Sequence, residues 1–383
     1  ERFEESVGLD PDFALAWAEL SEIHSFVYQL RLDRTEDRLA EARRTADRAL
    51  ALDPDLPQGH RALGYYYYWG HRDFDSALAA FQRAEQGLPN DSQVLGGIAY
   101  VKRRQGRFQE AVDYLLRALA SDPESAWLAT EVAITYQTMR RYREADRFFA
   151  QALGLAPDES AVYRRRARNY LLWHGDLESA RATLEAMPDQ RSTSSIVAWH
   201  DLEILAGNPK KAREILDQTQ ASIFGDDTGY WPKIFLKGKA LRLEGSKRVS
   251  QTFLELAQRP LKSNLKANPE DVRLHAALGQ CYADAGERKL ALFHARRATE
   301  LVPLQKDALV GAKMLENLAS VLAQLGEVEE SVEILDRLLG FPAEISVPLL
   351  QLDPKWAPLW NTEPFQELVD RSASGAAPVS ESG

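Results

Sequence analysis

The chain is nearly without cysteine: Cys281 is the single one in 383 residues. One thiol excludes an internal disulfide and any cysteine-rich metal site, which fits a reducing cytoplasm. Long apolar runs are missing too. The most apolar helical stretch, from Ala308 to Leu325, is interrupted by Lys313, Glu316 and Asn317, so no segment reaches the roughly 18 residues of a membrane helix. Neither an initial methionine nor a signal-like segment stands at Glu1-Arg2-Phe3, and the expectation is a piece of a longer chain. There is no excess of positive charge. The 47 basic and 57 acidic residues leave a net charge of −10, which disfavours a general polyanion binder. With 45% apolar residues the chain is too hydrophobic for a disordered one.

Catalytic signatures are equally scarce. No phosphate-binding loop, Gly-x-Ser-x-Gly elbow or His-Glu-x-x-His pair occurs. The seven histidines are scattered, with no two at helical i,i+3 or i,i+4 spacing. Cys281 sits on an apolar helix stripe beside Tyr282, where burial is a better account than nucleophilic use. The expectations are no catalytic residue, no metal and no cofactor. If chemistry existed, the place to look is around His200, Asp226, Asp227 and Trp231.

What is present is periodic proline. Pro54, Pro89, Pro123 and Pro157 are 35, 34 and 34 residues apart, and Pro269 to Pro303 is again 34. Proline stops a helix and pushes its predecessor to extended geometry. Between the prolines, small and large residues alternate at helical spacing. One unit has Leu63, Gly64, Ala77, Phe81 and Ala84; the next has Ile98, Ala99, Gly106, Ala111, Leu115 and Ala118. Small residues let two helix axes approach while the aromatic fills the gap beside them. Units ending at Pro157 and Pro303 repeat the pattern.

These motifs resemble the tetratricopeptide repeat (TPR) family over most of residues 1–340. The resemblance implies an all-α, right-handed superhelical solenoid of about nine helix pairs, each sheltering its neighbours' apolar faces. It also implies a non-catalytic surface for holding a protein. The spacing predicts a regular array over 1–187 and degenerate repeats over 188–268, with a loop near 222–230 where Gly225, Asp226, Asp227, Thr228 and Gly229 cluster. It predicts repeats again over 269–340, a proline- and aromatic-rich cap over 341–370, and a disordered tail over 371–383. The ending resembles bacterial proteins in which such a region follows a signalling domain, such as a kinase, cyclase or DNA-binding effector.

In such arrays the first helix of each pair lines the groove. The inward positions of the best-defined units are Arg61, Tyr65, Tyr68 and Trp69; Gln93, Tyr100, Arg103 and Arg104; Trp127, Thr130, Ile134 and Gln137; and Arg164 and Arg168. Arginine forks match carboxylates, and Tyr or Trp offer rigid contact area with a polar edge. The expectation is a cytoplasmic scaffold that takes an extended acidic peptide. Alternatively, the tyrosines pack between helices while the arginines pair with neighbouring carboxylates. A regulatory module of a larger signalling protein is the runner-up reading, and nucleic-acid binding ranks below it. The resemblance does not extend to chaperone-binding members, since their paired lysines and asparagines are replaced by Arg61 and Tyr65, Gly96 and Tyr100, Thr130 and Ile134, and Arg164 and Arg168.

Overall fold

The computed structural model describes residues 2–225 and 228–373. Among the described residues the chain is 76% helical, with 21 helices, and it divides into two units, 1–135 and 136–383. The Pro periodicity does not mark that division.

In the first unit α1 (Arg2–Leu9) precedes three hairpins. These are α2 (Ala14–Gln29) with α3 (Glu36–Leu52), α4 (Pro57–Tyr65) with α5 (Phe74–Gly87), and α6 (Ser92–Arg104) with α7 (Phe108–Ser121). The helix α8 (Ala126–Thr138) starts in this unit and ends in the next. Carboxylates and hydroxyls start the helices: Thr35, Asp73 and Asp91 accept from backbone N–H groups of their first turns, which satisfies otherwise orphaned donors. Phe81 shows why small residues sit where they do. It is fully buried, and a Cβ added at Gly64 or Gly97 would fall 2.6 or 2.5 Å from its ring. Two helices therefore close on one aromatic only because both present hydrogen there.

The second unit contains α9 (Tyr142–Leu155) and five hairpins. They are α10 (Ser160–His174) with α11 (Leu177–Glu185), α12 (Thr193–Leu205) with α13 (Pro209–Ile215), α14 (Lys233–Leu243) with α15 (Lys247–Ala267), α16 (Val272–Ala285) with α17 (Arg288–Leu301), and α18 (Ala308–Leu325) with α19 (Val328–Leu339). Where the sequence predicts a loop near 222–230, two short antiparallel strands form, β1 (Ile223–Gly225) and β2 (Tyr230–Pro232), with Phe224 opposite Trp231. Phe224 is buried against Ile196 and Leu216, which gives the hairpin an apolar anchor. Pro260 lies inside α15, a helix of 21 residues that breaks the repeat pattern.

After α19 come α20 (Val347–Leu352) and α21 (Glu363–Ala373); Leu350 of α20, Trp356 and Leu359 between them, and Phe365 of α21 pack with Leu335 and Leu338 of α19. Residues 371–373, expected in the tail, end α21 instead; residues 374–383 lie outside those described. Several hairpin turns pass through left-handed backbone at glycine, as at Gly106, Gly286 and Gly326. Arg140 adopts the same conformation with φ 59°, a costly choice for a residue with a Cβ.

Candidate functional site

In the first unit the first helices bring their aromatic residues into one row. Phe26 meets Trp69 at 5.8 Å between ring centroids, and Trp69 stacks on Tyr65 at 4.3 Å. Tyr68 lies 6.3 Å from Tyr100, and the Tyr100 hydroxyl accepts from the indole N–H of Trp127 at 2.8 Å. A single π-helical turn, Tyr66–His71, extends α4 and carries Tyr68 and Trp69; such wide turns recur at functional sites. Both ends of the row are open: Phe26 is 49% and Trp127 64% exposed.

The charges beside this row are already used. Arg61 is buried, with ion pairs to Glu19 at 2.9 Å, Glu22 at 2.6 Å and Asp91 at 3.4 Å. Three carboxylates surround one guanidinium, and burial, aided by Glu19 and Asp91, pushes Glu22 up to about 7 despite Arg61. Arg103 is likewise buried and donates to Glu131 at 2.7 Å and Thr135 at 3.2 Å. The sequence expectation of two free groove arginines is therefore corrected: each is neutralised by acidic residues from other helices. Tyr65 and Tyr68 are buried as well; Tyr65 donates to the Gln93 carbonyl at 2.9 Å, and the Tyr68 hydroxyl accepts from Arg104 at 3.3 Å. Trp69 and Tyr100 are half-buried. Of the predicted residues in this unit, Trp127 is the one that projects a ring into solvent.

The remaining three predicted residues belong to the second unit. Gln137 is fully buried and donates to the Arg165 carbonyl at 3.1 Å and to Asn169 at 3.3 Å. It ties α8 to α10 rather than facing a ligand. Arg164 and Arg168 are half-buried; burial lowers the Arg164 guanidinium below its usual range.

Around α10 the structure holds a feature that local sequence gave no sign of. Arg140 donates to three carbonyls, Leu338 at 2.7 Å, Phe341 at 3.0 Å and Ile345 at 2.9 Å. Its charge sits on the carbonyl end of α19, where a helix favours a cation. The same stretch places Glu344 3.1 Å from Arg165 and Leu349 among Leu171, Leu172 and Leu202. Lys355, just past α20, bonds Glu316 at 2.7 Å. Burial opposes the charge on Glu316, but Lys313 and Lys355 outweigh it and hold the carboxyl below the usual range.

Among the described residues, groups suited to chemistry do not converge. His200 is buried and bonded to Asp201 at 2.9 Å, Trp231 stacks on Phe235, and Asp226 and Asp227 lie outside the described residues. The Cys281 thiol is buried, donates to the Leu254 carbonyl, and is pushed up to about 12 by burial, so it is no nucleophile. Among the described residues no group of three His, Cys, Asp or Glu is set to hold a metal, and no helix is long and apolar enough to cross a membrane.

Family models described as tetratricopeptide repeat match residues 31–92, 66–126 and 130–163. The chain is a tetratricopeptide repeat protein. The stacked hairpins and the all-α architecture are those of that solenoid. Among curated proteins it is 26% identical over 364 residues to cellulose synthase operon protein C of Xanthomonas axonopodis pv. citri, covering 82% of this chain and 22% of that protein. It is 29% identical over 177 residues to protein FlbA of Caulobacter vibrioides, covering 46% and 28%. The chain thus spans less than a third of either relative. Among solved structures, a tetratricopeptide repeat protein from Parabacteroides merdae is similar at 14% identity with a TM-score of 0.47, covering 70% of this chain and 98% of that one.

Proposed function

We propose that this chain is a non-catalytic protein-binding scaffold whose first unit takes an extended peptide along the aromatic row of α2, α4, α6 and α8. The observation that carries the reading is Trp127, which is 64% exposed while its indole N–H is fixed on Tyr100. An exposed ring whose orientation is set in advance loses little freedom on binding, and such aromatics dominate interface energies. A cytoplasmic setting, which the single cysteine fits, and a signalling role belong to the same proposal.

The acidic preference expected from the sequence is part of the proposal, and its location shifts. Arg61 and Arg103 carry neutralised charge, so ring contact and backbone hydrogen bonds do the holding in the first unit. Carboxylate preference belongs to a separate subsite within the second unit, at Arg164 and Arg168.

A sequence selected from a random peptide library, titrated by calorimetry, tests the row. Trp127→Ala should weaken binding by roughly 10- to 100-fold, the effect of a strong interface anchor, with an unchanged melting temperature. Equal affinities for parent and variant would remove the row from the site. A second reading has its own observation: the exposed rings Phe26 and Trp127 also suit the apolar faces of a sugar chain, and one relative carries cellulose synthase in its name. Cellohexaose in the same titration decides between them, since saturation by the sugar with no peptide selected would favour that reading.

A further inference from the structure

Arg165 and Arg168 stand about one helical turn apart on α10. Arg165 meets the carboxylate of Glu344, a residue 179 positions further along the chain. Arg168 is half-buried and has no hydrogen bond or ion pair among the described residues. Its charge nevertheless reaches Glu344: partial burial pushes that carboxyl up, and Arg165, Arg168 and Lys313 together outweigh it and hold it below the usual range. The Glu344 side chain thus sets a carboxylate against the Arg165–Arg168 face of α10.

The flanks of Glu344 are fixed independently of it. On one side Arg140 holds the carbonyls of Leu338, Phe341 and Ile345. On the other, Ser346 caps α20 and the Leu349 and Leu350 side chains are buried. Displacing the whole segment would expose that apolar surface, at a cost of several kcal/mol. Exchanging one side chain costs far less, because the Arg165–Glu344 pair is open to water, with 43% and 36% of the two side chains exposed, and an exposed pair contributes little.

We propose that Glu344 is an internal stand-in for a ligand's carboxylate, so that the Arg165–Arg168 face of α10 is an acidic-peptide subsite entered by exchange with this side chain while its segment stays in place. The proposal rests on the acidic-peptide reading of Arg164 and Arg168 and is independent of the aromatic row. A tethered carboxylate competes at an effective concentration in the millimolar range, so the parent chain binds acidic peptides weakly and with selectivity for those carrying several carboxylates.

The test uses the full chain and a fluorescein-labelled tetraglutamate peptide, with tetraglutamine as control, followed by anisotropy. Glu344→Gln, which keeps size and removes charge, should raise tetraglutamate affinity about tenfold and leave tetraglutamine unbound. Arg168→Gln added to Glu344→Gln should abolish the gain, whereas Trp127→Ala added to it should not. Unchanged affinity in Glu344→Gln, with a parental melting temperature, would overturn the proposal. So would a gain that survives Arg168→Gln or vanishes with Trp127→Ala; in the last case the peptide sits on the first unit, and the scaffold reading stands while this one falls.

Discussion

In the first unit the row of first-helix aromatics runs from one exposed ring to another, and the buried charges beside it are paired among themselves. In the second, the α10 face meets the chain's own residues 341–352, through Glu344 and Leu349. One repeat architecture thus serves two ends. Neighbouring hairpins make contacts of short sequence separation in the first unit, whereas the second adds contacts across about 200 residues. The difference teaches that a groove position in a solenoid is defined by what else the chain brings to it, as much as by its place in the repeat.

The largest expected effect breaks the second unit's closure. Arg140→Met removes three charge-assisted bonds to part-buried carbonyls, and should cost roughly 2–4 kcal/mol in urea unfolding. A loss below about 1 kcal/mol would show that the apolar contacts of residues 345–350 suffice alone. Next comes the first unit's packing. Gly64→Leu drives a side chain into Phe81, whose ring lies 2.6 Å from the added Cβ. It should cost about 1–3 kcal/mol, and a parental melting temperature would contradict the close approach of the two helices.

The smallest effect sharpens the comparison through pH. Glu22, raised to about 7 by burial, keeps its proton in the folded state where the unfolded chain has released it. Its contribution to stability therefore falls as pH rises from the ordinary carboxylate range to 7. In the second unit, burial, then His275 and Lys262, lower His294 to about 4. The unfolded chain binds that proton first, so the contribution of His294 falls as pH drops from 6.5 towards 4. These two groups carry slopes of opposite sign. Relative to the parent, Glu22→Gln should gain on the order of 1–2 kcal/mol between about pH 5 and pH 7, and His294→Phe should gain in the reverse direction. Identical pH profiles for parent and variants would remove both groups from the balance.

How much of this could be read from the sequence follows from the range of each signal. Gly64, Phe81 and the proline spacing are local, so the hairpins and the role of small residues were legible. The strands at 223–225 and 230–232 were hidden because a Gly- and Asp-rich tract suggests a turn without indicating that Phe224 and Trp231 pair across it. The free charge assigned to Arg61 failed for a different reason: Glu19 and Glu22 lie about 40 residues away and Asp91 30 residues away, and nothing in the Arg61 helix announces them. Gln137 looked like a groove residue by its helical position, while its partners, Arg165 and Asn169, are set by the following hairpin. Glu344 beside Arg165 is the extreme case, since no repeat-based register links residues 179 apart.

The reach of Arg140 has a consequence for the birth of the molecule. Its three acceptors are 198 to 205 residues downstream, and a ribosome adds about 5–20 residues per second. For roughly 10–40 seconds after Arg140 emerges, its guanidinium and the greasy side of α10 wait without their eventual cover. The earlier hairpins can close as they appear. In the nascent second unit that surface is covered only after residues 338–345 have been made.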